Sequence, residues 1–267
     1  MPDQKLKIGI AQLELTDKDW RSNLDRVENA IDIFSKQKPD FVIFPELWPS
    51  AMQLKSCQQQ AAINRDTILP RLQILSKEKN LWIHCGSMLI ADQGKCYNQA
   101  VLINPAGEYA LVYRKMHLFG LMGEDQYLGA GNELPVCDTP FAKVATGICY
   151  DLRFPELFRY YALQGAQIIF LPSEWPHPRL YHWRELIIAR AIENQVYMVS
   201  CNRVGKSEKY EFFGHSMIVD PWGEIIYEAP ESEILKIVEI DLARVSEARA
   251  KLNTLADVRP EIFKKMQ

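Results

Sequence analysis

Three residues of reactive type each follow a short apolar run. Cys149 comes directly after the run Ala142 to Ile148, and the chain continues Tyr150-Asp151-Leu152-Arg153-Phe154-Pro155-Glu156. Gly147 before the cysteine and Pro155 after it predict a sharp turn from a buried strand into a helix. A thiol on such a turn is held outward, with the N–H groups of the turn beside it. Glu46 follows Phe41-Val42-Ile43-Phe44-Pro45, and Lys115 follows the run Tyr109 to Tyr113. In open α/β sheets, sites form beyond the carboxyl ends of strands. Three such ends brought together would place a thiol, a carboxylate and an ammonium in one cleft.

That trio has a definite chemistry. A thiol with a pKa of about 8.5 is only a few per cent thiolate at neutral pH. A carboxylate in reach can take its proton. The thiolate can then attack a carbonyl or nitrile carbon. Lys115 and the Tyr150 backbone N–H can steady the oxyanion that forms. Glu46, now protonated, can pass its proton to a leaving amine and later activate water against the thioester. Taken singly, each residue reads more plainly: a loop carboxylate, a surface ammonium, a packing thiol. The combination is the signal. A Cys–His pair is the rival scheme, with His117 the best placed histidine.

The elements needed to position these groups are legible in the hydrophobic pattern. Leu6, Ile8 and Ile10 alternate as a strand does, and Leu24, Val27, Ile31 and Phe34 recur at helical spacing after a cap at Thr16 or Asp17. Further strands are predicted at 41–44, 81–90, 97–103, 109–113, 142–148, 168–171 and 196–201. Helices are predicted at about 66–79, 156–164 and 180–195. A meander over 217–220, 223–227 and 235–240 follows, then a charged, partly helical tail from 241. Residues 116–140 read as loop. Strand–helix–strand units mixed with hairpins predict both parallel and antiparallel pairing. No linker divides the 267 residues, so one domain over 1–267 is expected, its core at about 6–240.

Composition narrows the class. The chain is 48% hydrophobic, with 31 basic and 34 acidic residues and a formal net charge of −3. That balance argues against nucleic acid or an anionic membrane as partner. Without a signal-like or membrane-length apolar segment, the expected location is the cytoplasm. The six cysteines (57, 85, 96, 137, 149 and 201) lack metal or disulfide spacing, so free thiols and no metal site are expected.

Phe44-Pro45-Glu46-Leu47, Tyr113-Arg114-Lys115-Met116-His117-Leu118-Phe119 and Gly147-Ile148-Cys149-Tyr150-Asp151 resemble the three signature blocks of the nitrilase, or carbon–nitrogen hydrolase, superfamily. Leu171-Pro172-Ser173-Glu174-Trp175-Pro176, Arg190-Ala191-Ile192-Glu193-Asn194 and Cys201-Asn202-Arg203-Val204-Gly205 extend the likeness in the same order. The resemblance implies an α/β fold, a four-layer α-β-β-α sandwich with two mixed β-sheets. It implies a homodimer and no cofactor. It implies Glu46 as general base, Lys115 as oxyanion stabiliser and Cys149 as nucleophile. It also implies an accessory glutamate in the loop after the lysine, matching Glu124 or its neighbour Asp125.

Within the superfamily, Cys149-Tyr150-Asp151-Leu152-Arg153-Phe154-Pro155-Glu156 is most similar to the Nit/omega-amidase branch. That branch hydrolyses the distal amide of small dicarboxylate monoamides such as 2-oxoglutaramate or 2-oxosuccinamate. Such a substrate needs a cation for its free carboxylate, and a guanidinium binds carboxylate in two-pronged fashion. Arg153 is one candidate and Arg179 the other; alternatively Arg153 pairs with Asp151 or Glu156 and only braces the turn. Trp175 and Tyr150 could wall the pocket. Glu174 stands where many relatives carry a small residue, and either repels an anionic substrate or pairs with Arg179. Glu193 reads as a buried structural partner. The competing functions are an N-carbamoyl amidase, and a catalytically idle scaffold or redox-sensing thiol protein on the same fold.

Overall fold

The computed structural model describes residues 5–51 and 53–263. Two six-stranded mixed sheets form its centre. The first runs in the order β14-β1-β2-β3-β4-β5, from β1 (Lys5–Gln12), β2 (Phe41–Ile43), β3 (Trp82–Asp92), β4 (Lys95–Ile103), β5 (Tyr109–Arg114) and β14 (Ile234–Asp241). The second runs β13-β12-β9-β8-β7-β6, from β6 (Val136–Asp138), β7 (Lys143–Thr146), β8 (Ile168–Ser173), β9 (Tyr197–Asn202), β12 (Met217–Val219) and β13 (Ile225–Glu228). A small antiparallel hairpin joins β10 (Val204–Lys206) to β11 (Glu211–Phe213). The helices are α1 (Trp20–Ser35), α2 (Cys57–Ile63), α3 (Leu69–Lys79), α4 (Glu124–Tyr127), α5 (Pro155–Leu163), α6 (Leu180–Asn194), α7 (Ala243–Lys251) and α8 (Pro260–Phe263).

Alternation along the strands decides the layers. On β2, Phe41 and Ile43 join the core between the sheets, while Val42, and Phe44 just past the strand, join the core beneath α1 and α3. On β4, Ala100 and Leu102 divide from Val101 and Ile103 in the same way. Side chains two apart share a face of a strand, so one sheet feeds two cores. Phe41 of the first sheet meets Phe170 of the second at 5.5 Å between ring centroids. The outer face of the second sheet is covered by Phe158 and Tyr161 of α5 and Trp183 and Ile187 of α6. The result is helix, sheet, sheet, helix. His84, buried between the sheets, bonds Thr146 Oγ1 at 3.0 Å, and burial pushes its pKa down to about 3. It is neutral, a packing residue.

Both sheets use parallel pairs at the centre, β1–β2–β3 in one and β7–β8–β9 in the other. The carboxyl ends of β2, β7 and β8 therefore serve as launch points for Glu46, Cys149 and Glu174. Three local expectations change. The cap of α1 is Asp19, whose carboxylate accepts the Arg21 N–H at 3.1 Å; Thr16 accepts from Lys18, and Asp17 turns toward Arg203. The loop region 116–140 contains α4 and β6. Helix α2 and the β10–β11 hairpin occur where no element was expected.

Candidate active site

Each reactive side chain is delivered by a strand end, and two glycines let the backbones behind them close up. A Cβ on Gly86 (φ +65°) would meet the Pro45 carbonyl oxygen at 2.0 Å, immediately behind Glu46. A Cβ on Gly131 would meet the Arg114 carbonyl oxygen at 2.2 Å, immediately behind Lys115. Only glycine permits such approach.

Glu46, Lys115 and Glu124 form a buried triad, with 1–2% of each side chain exposed. Lys115 Nζ donates to Glu46 Oε1 at 2.8 Å and to Glu124 Oε1 at 2.7 Å. Asn98 Nδ2 donates to Glu46 Oε1 at 2.8 Å, and the Glu174 backbone N–H to Glu46 Oε2 at 2.8 Å. Glu124 Oε2 accepts the Phe119 N–H at 2.8 Å. Burial works against a charged Lys115, yet the two carboxylates hold its pKa well above the ordinary value. Burial pushes the Glu124 carboxyl up; Lys115 pulls it back and the Glu46 charge adds to the push. Of the two loop candidates, Glu124 reaches the lysine, whereas Asp125 is exposed.

Cys149 sits at φ +44° on a tight helical turn, Cys149–Arg153, that precedes α5. A non-glycine residue in this region costs about 1–3 kcal/mol unless its surroundings fix it. Asp151 does the fixing. Its Oδ2 accepts the Ile148 N–H at 2.9 Å and the Tyr113 hydroxyl at 2.7 Å. Its Oδ1 accepts the His117 N–H at 3.0 Å and faces His117 Nδ1 at 2.7 Å. Arg190 Nε donates to the Leu152 carbonyl at 3.1 Å from α6. His117 also stacks on Phe154 with ring centroids 3.6 Å apart. The structure thus assigns His117 to bracing the turn through Asp151 rather than to a thiol–imidazole pair.

Burial pushes the Cys149 thiol well above its ordinary value; the Glu46 charge adds to this, and Lys115 offsets only part. The resting group is a thiol, not a thiolate. Such a nucleophile needs a base, and the Glu46 carboxylate is the neighbouring charge that acts on it most. Ultraviolet titration should show this. Subtracting the Cys149→Ala spectrum should reveal no thiolate band growing in between about pH 7 and 9, where an ordinary thiol ionises. A band with a midpoint below pH 8 would mean a preformed thiolate instead.

Above Cys149 a small cavity is lined by Phe119, Tyr150, Arg153, Glu174, Trp175 and Arg179, with Pro176 at its edge. Both arginines look onto it, and among the described residues neither has an ion-pair partner. Arg153 packs over the Trp175 ring at 4.8 Å and bonds His182 Nδ1 at 3.4 Å, not Asp151 or Glu156. Burial lowers its pKa, and the Arg179 charge acts the same way. Arg179 lies over Phe119 at 5.6 Å. Glu174 does not pair with Arg179: its Oε1 takes Arg203 Nη1 at 2.8 Å. Asn202 holds Trp175 from both sides, with its Oδ1 accepting the Trp175 N–H at 2.7 Å and its Nδ2 donating to the Trp175 carbonyl at 3.0 Å. Glu193 is only half buried and pairs with Arg190 at 2.8 Å. Among the described residues no group of three His, Cys, Asp or Glu side chains is placed to hold a metal ion.

Sequence reasoning missed Asn98 and Arg203 as site residues. Their only signal is a polar side chain on or just after a strand that is otherwise apolar.

Two mixed sheets packed face to face, with helices outside and reactive groups at the strand ends, are the layout of the nitrilase superfamily. The carbon-nitrogen hydrolase pattern matches residues 7–250. The chain is 35% identical over 259 residues to a 2-oxoglutaramate amidase of Bacillus subtilis, covering 97% of this chain and all of that one. It is 32% identical to the omega-amidase NIT2 of Bos taurus, covering 90% and 91%. The crystal structure of Saccharomyces cerevisiae Nit3, of branch 10 of the nitrilase superfamily, superposes with a TM-score of 0.87 at 30% identity, covering 93% and 94%. The chain belongs to the carbon-nitrogen hydrolase family, and it is an amide-hydrolysing enzyme of that family.

Proposed function

We propose that this enzyme hydrolyses the terminal amide of a small linear substrate that carries a carboxylate at its other end, as in 2-oxoglutaramate or 2-oxosuccinamate. The observation that carries the reading is the pair Arg153 and Arg179, two guanidiniums without ion-pair partners among the described residues, on the cavity that also holds Cys149. Two donor-only groups beside a reactive thiol suit an anionic substrate end. The names of the relatives point the same way.

In this reading Glu46 accepts the Cys149 proton as sulfur bonds to the amide carbon. The carbonyl electrons move to oxygen, and Lys115 Nζ with the Tyr150 backbone N–H steadies that oxyanion. The oxyanion collapses, the C–N bond breaks, and Glu46 returns the proton to nitrogen, releasing ammonia. Water then attacks the thioester with Glu46 again as base, and the S–C bond breaks to give the acid and the free thiol. Glu124 positions Lys115, and Trp175 walls the pocket. The reading includes a cytoplasmic setting, supported by six unpaired thiols. It also includes a homodimer, supported by the exposed Tyr160, Leu163, Tyr181 and Ile192 on α5 and α6.

Ammonia release from 2-oxoglutaramate, succinamate, N-carbamoyl-β-alanine and a simple nitrile tests the reading; it requires the first two to be turned over best. In the same assay Arg153→Met should raise KM for 2-oxoglutaramate roughly 10- to 150-fold, the worth of a charged hydrogen bond. A neutral amide of similar length should be nearly unaffected. Equal losses on both would remove Arg153 from substrate binding.

A further inference from the structure

Glu174 is the least explained group at the site. Its side chain is 1% exposed, yet it lines the cavity over Cys149. One oxygen, Oε1, is fixed by Arg203 at 2.8 Å. Arg203 is itself fully buried, bonded to the Leu15 carbonyl and paired with Asp17 at 3.4 Å. The other oxygen, Oε2, is buried and has no hydrogen-bond partner among the described residues. A buried polar atom left unpaired is destabilising, and more so when charged. The backbone of the same residue donates to Glu46 Oε2, so Glu174 begins directly beside the proposed general base. The carboxylate is thus fixed by Arg203 at one oxygen and has its other oxygen buried without a partner, on a residue that lines the cavity over Cys149.

The chemistry of the missing partner follows from what an ionised carboxylate can do: it only accepts. An anionic end of a substrate cannot sit against it, and a carbonyl or nitrile has no proton to offer. In the ω-amide of a 2-oxo dicarboxylic acid, the amide –NH₂ is the one donor at neutral pH. The arginines, donors only, take the carboxylate. The carboxylate and the arginines of the cavity lining therefore suit the two ends of the molecule by opposite chemistry.

Resting on the function proposed above, we propose that Glu174 is a substrate-reading residue, whose free Oε2 accepts a hydrogen bond from the scissile amide N–H. The pocket then selects primary amides over the matched esters and nitriles. Burial pushes Glu174 up to about 7, Arg203 pulls it down and the Glu46 charge pushes it up. A substrate N–H at Oε2 favours the ionised form that accepts it.

Binding measured without turnover tests this. In a Cys149→Ala background, succinamate and monomethyl succinate share a carboxylate and an acyl chain, and differ in the N–H. Glu174→Gln keeps an oxygen for Arg203 and so aims its –NH₂ at the substrate –NH₂. Calorimetry should find succinamate bound about 10-fold or more weaker, the loss of one charged hydrogen bond. Monomethyl succinate should change by less than about 2-fold, well inside that margin. Equal weakening of both ligands, or no change in either, would overturn the role. Should Glu174→Gln fail to fold, Glu174→Asp keeps the ion pair and withdraws the carboxylate by one methylene. It should weaken succinamate alone, and equal effects on both ligands would again overturn the role. If the Cys149→Ala protein binds neither succinamate nor 2-oxoglutaramate, the carboxylate-amide reading itself fails and this proposal with it. Selective binding of succinamate that survives in Glu174→Gln would sink only the role of Glu174.

Discussion

Cys149→Ala should lower ammonia release by at least about 10⁴-fold, and Glu46→Gln by about 10²–10⁴-fold. The double variant should be scarcely worse than Cys149→Ala alone. The reason lies in the protonation state. Burial and the Glu46 charge keep the resting thiol protonated, so thiol and carboxylate act as one unit: without the base the thiol is a poor nucleophile, and without the thiol the base has nothing to activate. Groups that act as a unit are strongly non-additive. Independent roles would instead make the two losses multiply. Alanine at 149 removes only a small buried side chain, and the brace through Asp151, Tyr113 and His117 stays in place. Cys149→Ala should therefore unfold at nearly the parent's urea concentration. Full activity in Cys149→Ala would rule out the thioester mechanism, whereas no turnover of any amide by the parent would leave a scaffold or redox-sensing role.

How far the site could be read in the chain depends on the scale of the cue. Cys149 was legible because a strand, a turn and a helix meet within about ten residues, and each leaves a local mark: an apolar run, Gly147, Pro155. The two-sheet layering was implied by the family likeness, and the alternation on β2 and β4 explains it. Helix α2 escaped because Cys57-Gln58-Gln59-Gln60-Ala61-Ala62-Ile63 has too few apolar residues to show a period. The β10–β11 hairpin escaped because its strands are three residues long, below the length at which alternation is visible. The partner of Glu174 was misassigned for a different reason. Arg179 is near in sequence, but Arg203 arrives from the end of the neighbouring strand β9, and strand order is not written in local pattern. Asn98 reaches Glu46 across 52 positions by the same route.

Lys115→Met should cost about 3–5 kcal/mol of stability as well as activity, because it strips the shared cation from two buried carboxylates. Lys115 bonds Glu46 at 2.8 Å and Glu124 at 2.7 Å, and no side chain of the three is more than 2% exposed. A thioether fills the volume but neutralises nothing. The pH dependence identifies the cause. Burial already raises the Glu124 carboxyl against the pull of Lys115, and losing the lysine raises it further. A carboxyl whose folded pKa lies above its unfolded value binds its proton more tightly when folded. Its destabilising effect is therefore fully felt above the folded pKa and fades as pH falls toward the unfolded value of about 4.3. Urea unfolding of Lys115→Met should thus show stability recovering as pH falls from neutral toward the unfolded carboxyl value, more than in the parent. Adding Glu124→Gln should restore part of the stability at pH 7, since one fewer carboxyl then needs a counter-charge, but no ammonia release, since the oxyanion still lacks its cation. An unfolding midpoint for Lys115→Met equal to the parent's would mean that the triad is not the buried charge cluster its distances describe.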